Sequence, residues 1–170
     1  MKKPFSVSRL AFDALLTGTA MILSYVESLI PLSFAIPGIK MGLANIPVVF
    51  ALFRIGKADA FFISVLRVIL LSVLFGTFVS FLYGFSGAVM AYLVMLLLEK
   101  TQRFRIFTIS VTGGVVHNLT QILVAMLVLK TDAIFFYLPW LLIAGIVSGA
   151  LIGILSAVLT ARIPHKLTAF

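Results

Sequence analysis

The sequence predicts an all-α integral membrane protein, a bundle of six transmembrane helices that forms a single domain over residues 1–170. Hydrophobic residues make up 62% of the chain, charged residues only 11%, and the mean hydropathy is +1.25. A soluble domain carries about 25% charged residues because its surface has to be hydrated. The apolar residues also form long runs rather than stripes. Since one crossing takes about 20 apolar residues, 170 residues have room for about six.

Each helix is delimited by residues that interrupt an apolar run. Residues 1–30 begin with basic residues but lack a small-x-small cleavage site, which favours a first membrane helix over a secretory signal. Proline or glycine marks the next breaks, at Pro31, Gly56 and Gly76. The apolar stretch 77–83, which Gly76 and Gly84 bracket, is left without an assigned element. The predicted helices are Val7–Ile30, Met41–Arg54, Ala58–Phe75, Phe85–Lys100, Arg105–Leu129 and Ile134–Ile163.

Basic residues predict the orientation in the cell membrane. With both termini in the cytoplasm, 10 of the 13 lysines and arginines fall on the inner side, as the positive-inside rule requires. The net charge of +8 therefore indicates contact with anionic lipid headgroups rather than with nucleic acid. Asp13 and Asp59 are expected to be solvated near this surface. The inner basic residues are Lys2, Lys3, Arg9, Arg54, Lys57, Lys100, Arg103, Arg105, Arg162 and Lys166.

Polar side chains from several helices fall in the outer half of the predicted bundle. Ionisable groups are costly in a bilayer, so they usually face a protein interior and often mark function. Most of the charged ones here are cationic, and a fourth helix that opens at Ser86-Gly87 would add a positive dipole end. The pattern predicts a site for an anionic head with apolar walls around it. The candidate ligand-binding residues are Glu27, Lys40, Asn45, Arg67, Ser86, His117, Asn118 and Gln121.

A structural role is the alternative for each of these residues. Arg67 could be held by Glu27 in an ion pair, and an interior histidine such as His117 is often simply hydrogen-bonded. Lys40 could extend to the headgroups. Asn45 could cap or brace the second helix.

Small residues at helical spacing indicate close helix packing. Gly145, Gly149 and Gly153 on the last helix are expected to pack inside the bundle. On the first helix, Ala14 and Gly18 are candidates for docking an external helix, with internal packing as the alternative.

The sequence lacks residues that several kinds of catalysis, nucleotide binding and metal binding require. The chain has no cysteine, no phosphate-binding Walker loop and no serine-centred nucleophile motif. Its three aspartates, Asp13, Asp59 and Asp132, are too far apart to bind the Mg²⁺ ions of prenyl diphosphate condensation. We therefore expect a chain that is not an enzyme on its own, with no metal or cofactor. Any ATP-driven work would need other subunits.

Four stretches and Arg67 carry a resemblance to a known family. The stretches are residues 23–28 (LSYVES), 37–45 (PGIKMGLAN), 86–87 (SG) and 113–121 (GGVVHNLTQ). In these the chain resembles heptaprenyl diphosphate synthase component I, a family grouped with the substrate-binding S components of energy-coupling-factor (ECF) transporters. The resemblance implies an S-component-like fold with a ligand near the outer face, under the loop between the first two helices. It also implies docking through Ala14 and Gly18 onto a membrane coupling subunit that works with two ATPase subunits, although Gly18 replaces the usual alanine.

Three functions follow as hypotheses. The first is the S component of an ECF-type ATP-driven importer that binds a small anionic or amphiphilic molecule, with an isoprenoid or quinone precursor suggested by the family's name. The second is a non-catalytic membrane partner of a prenyl diphosphate synthase. The third is a scaffold that binds no small ligand.

Overall fold

The computed structural model describes residues 7–29 and 41–163, and these residues are almost entirely helical. Two 3₁₀ helices, Leu43–Asn45 and Asp132–Tyr137, precede the second and the sixth α-helix. The predicted helix positions agree with the structure to within a few residues, except at the start of the fourth. The α-helices are α1 (Val7–Ser28), α2 (Ile46–Arg54), α3 (Lys57–Phe75), α4 (Phe78–Lys100), α5 (Ile106–Leu129) and α6 (Leu138–Arg162).

The fourth helix begins seven residues earlier than the sequence analysis predicted. Thr77 is its N-cap: the Thr77 hydroxyl accepts a hydrogen bond from the Ser80 backbone N–H (3.2 Å), and Ser80 Oγ accepts one from the Thr77 N–H (2.7 Å). This reciprocal pair satisfies two N–H groups that a helix start leaves free. Gly84 lies inside the helix, where a glycine costs only about 1 kcal/mol. Residues 77–83 are thus the cap and first turns of α4.

Helices α2 to α6 pack in a ring in chain order, and α6 closes the ring against α2. The tightest contact joins α5 and α6, where a Cβ added at Gly149 would lie 2.7 Å from Val111 Cα and one at Gly153 would lie 3.0 Å from Phe107 Cα. A Cβ at Gly145 would meet the backbone of Gly114. The predicted internal packing of this glycine series is confirmed. Helix α1 lies outside the ring and contacts α2 and α3.

Helix α2 is short and is enclosed by its neighbours. Seven of its residues, from Ile46 to Leu52, are buried. With its preceding 3₁₀ turn it spans about 20 Å, less than the roughly 30 Å of a bilayer core. Pro47 lies in the first turn of the helix, where its missing N–H removes no helical hydrogen bond.

One end of the bundle collects the basic helix termini, and we call it the basic end. Arg9 on α1 forms a two-bond ion pair with Asp59 on α3, with N···O distances of 2.7 and 2.5 Å. The expectation that Asp59 is solvated is wrong, because it is buried against this arginine. Lys57 pairs with Glu99 across α3 and α4 (2.6 Å). These contacts fix the register of three helices at this end.

Five of the described helices are long and apolar enough to cross a membrane. The remaining predicted crossing, the second in chain order, corresponds to the shorter apolar segment Leu43–Arg54. Large apolar side chains remain exposed on the outer faces of the bundle, among them Val73 (77%), Leu127 (77%) and Phe136 (81%). Soluble monomers rarely expose so much apolar surface in continuous patches.

Candidate functional site

A cavity of about 610 Å³ opens in the helix bundle, and polar side chains from five α-helices and from the 3₁₀ turn before α2 line it. Six of the eight predicted ligand-binding residues line this cavity. This volume lies within the usual range of small-molecule sites, about 300–1,000 Å³. At about 30 Å³ for each water-sized group, it holds a ligand of roughly 20 non-hydrogen atoms. The six residues are Glu27, Asn45, Arg67, His117, Asn118 and Gln121.

Arg67 is the dominant charge in this cavity. Its side chain is only 7% exposed, and its Nη2 donates a hydrogen bond to Asn45 Oδ1 (3.0 Å). Among the described residues, its Nε has no hydrogen-bond partner, and no carboxylate oxygen lies within 4.0 Å of its nitrogens. A buried guanidinium normally uses its donors fully because an unmade bond is costly. Arg67 is therefore a buried cation with unused donor capacity facing a cavity.

Glu27 is committed to the backbone rather than to a direct ion pair with Arg67. Its carboxylate accepts hydrogen bonds from the N–H groups of Gly42 (2.6 Å) and Leu43 (3.2 Å), where the chain enters the 3₁₀ turn before α2. Glu27 is buried and still attracts Arg67 electrostatically. It thus balances part of the arginine's charge while leaving the guanidinium nitrogens free of a carboxylate.

Asn45 occupies the N-cap position of α2, but its side chain makes no capping hydrogen bond. The predicted alternative that Asn45 caps this helix is therefore wrong. The Asn45 Oδ1 instead accepts the hydrogen bond from Arg67, which orients the guanidinium in the cavity. The hydrogen bond of the Asn45 side chain thus supports the Arg67 guanidinium, a role different from the predicted capping or bracing of the second helix.

The cavity face of α5 carries His117, Asn118 and Gln121 on adjacent turns. A Cβ added at Gly87 of α4 would lie 3.0 Å from the His117 ring and 3.1 Å from Gln121 Cγ, so this glycine lets the two polar side chains pack closely against α4. Asn118 Nδ2 donates to the Leu141 carbonyl of α6 (2.7 Å) and joins the two helices. Asn118 has a structural role here in addition to its place on the cavity wall.

Two predicted residues are not placed at this cavity. Ser86 is absent from its lining, and its hydroxyl donates to the Leu82 carbonyl (2.7 Å) of its own helix. The expected helix start at Ser86-Gly87 is wrong, because α4 begins at Phe78 and these N–H groups lie inside the helix. Lys40 lies outside the described residues.

Serines at the cavity were missed as ligand candidates by the sequence analysis. Ser64 and Ser72 lie three residues before and five after Arg67, and both line the cavity with it. Their spacing from Arg67 partly predicts that they share its cavity, since helix positions three and four residues apart lie on one face. Serine is common in membrane helices, however, and its identity alone does not mark a site. The remaining cavity serines are Ser24, Ser80 and Ser148.

The predicted docking face on α1 is open within the described structure. Ala14 is exposed, and a Cβ added at Gly18 would have no atom within 4 Å. The alternative that this face packs inside the bundle therefore does not hold among the described residues. The identity of any partner here remains a prediction.

The comparison with family models decides the family. The model described as heptaprenyl diphosphate synthase component I matches residues 16–159. The chain belongs to the heptaprenyl diphosphate synthase component I family. The matched region contains every described cavity residue, from Ser24 to Ile152. A search of curated proteins and a search of solved structures gave no match.

Proposed function

We propose that the protein is the substrate-binding membrane subunit of an ECF-type ATP-driven importer. It binds a small anionic or amphiphilic molecule in the cavity around Arg67, with an isoprenoid or quinone precursor as the candidate. The observation that carries the proposal is the buried Arg67 guanidinium, whose Nε has no partner among the described residues, facing a cavity of about 610 Å³. A carboxylate or phosphate is the natural complement to such a group.

The proposed location is the cell membrane, with six crossings, both termini in the cytoplasm and the cavity near the outer face. Support comes from the five long apolar helices and their exposed apolar faces. The shorter segment Leu43–Arg54, which would make the remaining crossing, is enclosed by protein. Such enclosure allows a helix too short to span the bilayer to lie at membrane depth. The basic end is proposed to face the cytoplasm, in accord with the positive-inside rule.

The proposed partners are a membrane coupling subunit and two ATPase subunits. The open face at Ala14 and Gly18 supports docking because small residues allow helix backbones to approach closely in lipid. We propose no catalytic role for the chain itself. The energy for transport comes from ATP hydrolysis in the partner subunits.

The second candidate function is that of a non-catalytic membrane partner of a prenyl diphosphate synthase, which the family's description favours. The cavity volume weighs against enclosure of the synthase's whole product. A heptaprenyl chain has about 35 carbons and at ~30 Å³ each needs roughly 1,000 Å³. The cavity of about 610 Å³ takes a smaller molecule.

Purification of the full chain with its bound proteins separates these functions. A tagged chain is extracted from its native membrane in mild detergent, and the co-purified proteins are identified by mass spectrometry. The importer function predicts a coupling subunit and ATPases. Recovery of a soluble prenyl synthase alone would favour the second function, and recovery of neither, with an empty cavity, would favour a scaffold.

A further inference from the structure

The cavity continues past the polar side chains into an apolar end. We call this part the deep compartment and define it by Val48, Ala88, Ala91, Met95 and Gly113, all of which line the cavity. Each of these residues is buried from solvent, with Met95 only 6% exposed. The deep compartment lies on the side of Arg67 that faces the basic end. Val48 follows Asn45, the partner of Arg67, on α2, which ends at Arg54, and Met95 follows Gly87 on α4, which ends at Lys100.

Small residues create the space in the deep compartment. Ala88 and Ala91 present single methyl groups from α4, and Gly113 presents none from α5. A Cβ added at Gly113 would lie 2.6 Å from Met95 Sδ, so the methionine occupies the room that this glycine leaves. The flexible thioether of Met95 thus forms the adjustable part of the wall.

The depth of the compartment follows from helix geometry. The His117 ring packs at Gly87, and Met95 lies eight residues further along α4, about 12 Å at ~1.5 Å per residue. Along α5, Gly113 is four residues from His117, about 6 Å. A backbone residue spans three bonds in about 3.3–3.6 Å, so 6–12 Å corresponds to roughly five to ten bonds of an extended chain.

The inner end of the compartment is closed by the protein core. Val48 and Met95 belong to the same buried cluster as Ile109, which lies four residues before Gly113 on α5 and so one turn closer to the basic end. An apolar group that enters from the polar side therefore meets a wall. The compartment limits the length of its occupant.

We infer that the ligand is a short-chain amphiphile, with a phosphate or carboxylate head at Arg67 and an apolar group of about five to ten carbons in the deep compartment. Met95 determines the maximum length of that group. This inference rests on the proposed anion site and specifies its substrate class. Long-chain lipid anions share the head chemistry but exceed the compartment.

The test is a chain-length series on the purified full chain in nanodiscs. The probes are inorganic phosphate and ethyl, butyl, hexyl, octyl, decyl and dodecyl phosphate, with Arg67→Gln nanodiscs used to subtract partitioning into lipid. Affinity should rise by up to roughly fourfold for each buried methylene and then level off between butyl and decyl, so that dodecyl phosphate binds no more tightly than decyl phosphate. Met95→Ala should move this plateau to a longer chain, and Ala91→Leu should move it to a shorter one. Met90→Ala is the matched control, because Met90 is 44% exposed on the same helix, and it should change nothing.

Several outcomes would overturn the inference, and they differ in what they leave standing. Equal affinity for all probes, inorganic phosphate included, would show an anion site without a tail compartment, and the proposed function would stand. Affinity that keeps rising to dodecyl phosphate in the wild type would indicate a lipid-type ligand. A plateau unmoved by both Met95→Ala and Ala91→Leu would show that this compartment does not hold the tail. No Arg67-dependent binding of any probe would remove the proposed anion site as well.

Discussion

Replacement of Arg67 by methionine should show whether Arg67 binds the ligand or stabilises the fold. A binding role predicts weaker ligand affinity with unchanged or higher stability, and a structural role predicts lower stability with unchanged ligand affinity. Methionine keeps the length and the apolar stem of the side chain but removes the charge and every donor. The variant loses the hydrogen bond to Asn45 Oδ1, worth about 1.5–3 kcal/mol for a charged donor. It also loses the attraction to Glu27.

The same substitution also removes an unfavourable contribution to the stability of the folded protein. A buried donor without a partner, such as Arg67 Nε, costs about 1–3 kcal/mol, and burial of the charge itself adds to this. Removal of one partner of a buried ion pair is usually destabilising, but Glu27 makes no direct ion pair with Arg67 and keeps its two backbone hydrogen bonds. We therefore expect the stability of the ligand-free protein to stay the same or to increase.

Ligand binding should respond in the opposite direction. Loss of a charge that contacts an anionic head in a buried site costs about 2–5 kcal/mol, or at least 30-fold in affinity. At a hexyl phosphate concentration of 100 times the wild-type Kd, the wild type should gain about 2.7 kcal/mol of stability. A variant with 30-fold weaker binding should gain only about 0.9 kcal/mol at that concentration. Arg67→Lys should recover part of the difference, because an ammonium lacks the planar donor pair.

Thermal unfolding in detergent, with and without the probe, measures both effects. A binding role for Arg67 is excluded if Arg67→Met sharply lowers the melting temperature of the ligand-free protein while the probe stabilises the variant as much as the wild type. That result would make Arg67 a structural residue. Met90→Ala serves as the control for a substitution on the outer surface of the bundle.

Three further predictions concern docking, the basic end and topology. Gly18→Leu should abolish co-purification of a coupling subunit and leave hexyl phosphate binding intact. The control Thr19→Leu, at the neighbouring position, should assemble normally. Loss of hexyl phosphate binding in Gly18→Leu would mean that this face is needed for the fold. Asp59→Asn should lower stability by about 1–3 kcal/mol in thermal unfolding, since it breaks a partly buried ion pair, and an unchanged melting temperature would show that the pair contributes little. In this cysteine-free chain, a cysteine at Lys130 should react with an impermeant reagent from outside and one at Gln102 should not, and the reverse labelling would overturn the orientation.

The positions of the helices were largely predictable because hydropathy and length determine which segments can form a membrane bundle. The start of α4 was not. Gly84 suggested a break, and the cap that overrides it uses Ser80 three residues after Thr77 instead of the usual glutamate or glutamine. The burial of Asp59 was also missed, because its partner Arg9 is 50 residues away in the chain.

The polar part of the site was more predictable than the apolar part. Arg67 and His117 stand out in an apolar sequence because polar groups are costly in such surroundings. Ala91 and Met95 do not stand out, since a residue that lines an apolar compartment and one that fills a core have the same chemistry. The partners of Glu27 are backbone N–H groups, whose positions depend on the path of the chain and not on residue type.

Native mass spectrometry of the protein released from its own membrane tests whether Arg67 binds an anionic ligand. We expect a small bound molecule with a phosphate or carboxylate group on the wild-type chain. The same preparation of Arg67→Gln, folded and at equal yield, should lack it. Retention of the molecule at full occupancy by Arg67→Gln, or its absence from both proteins, would rule out Arg67 as the anion site.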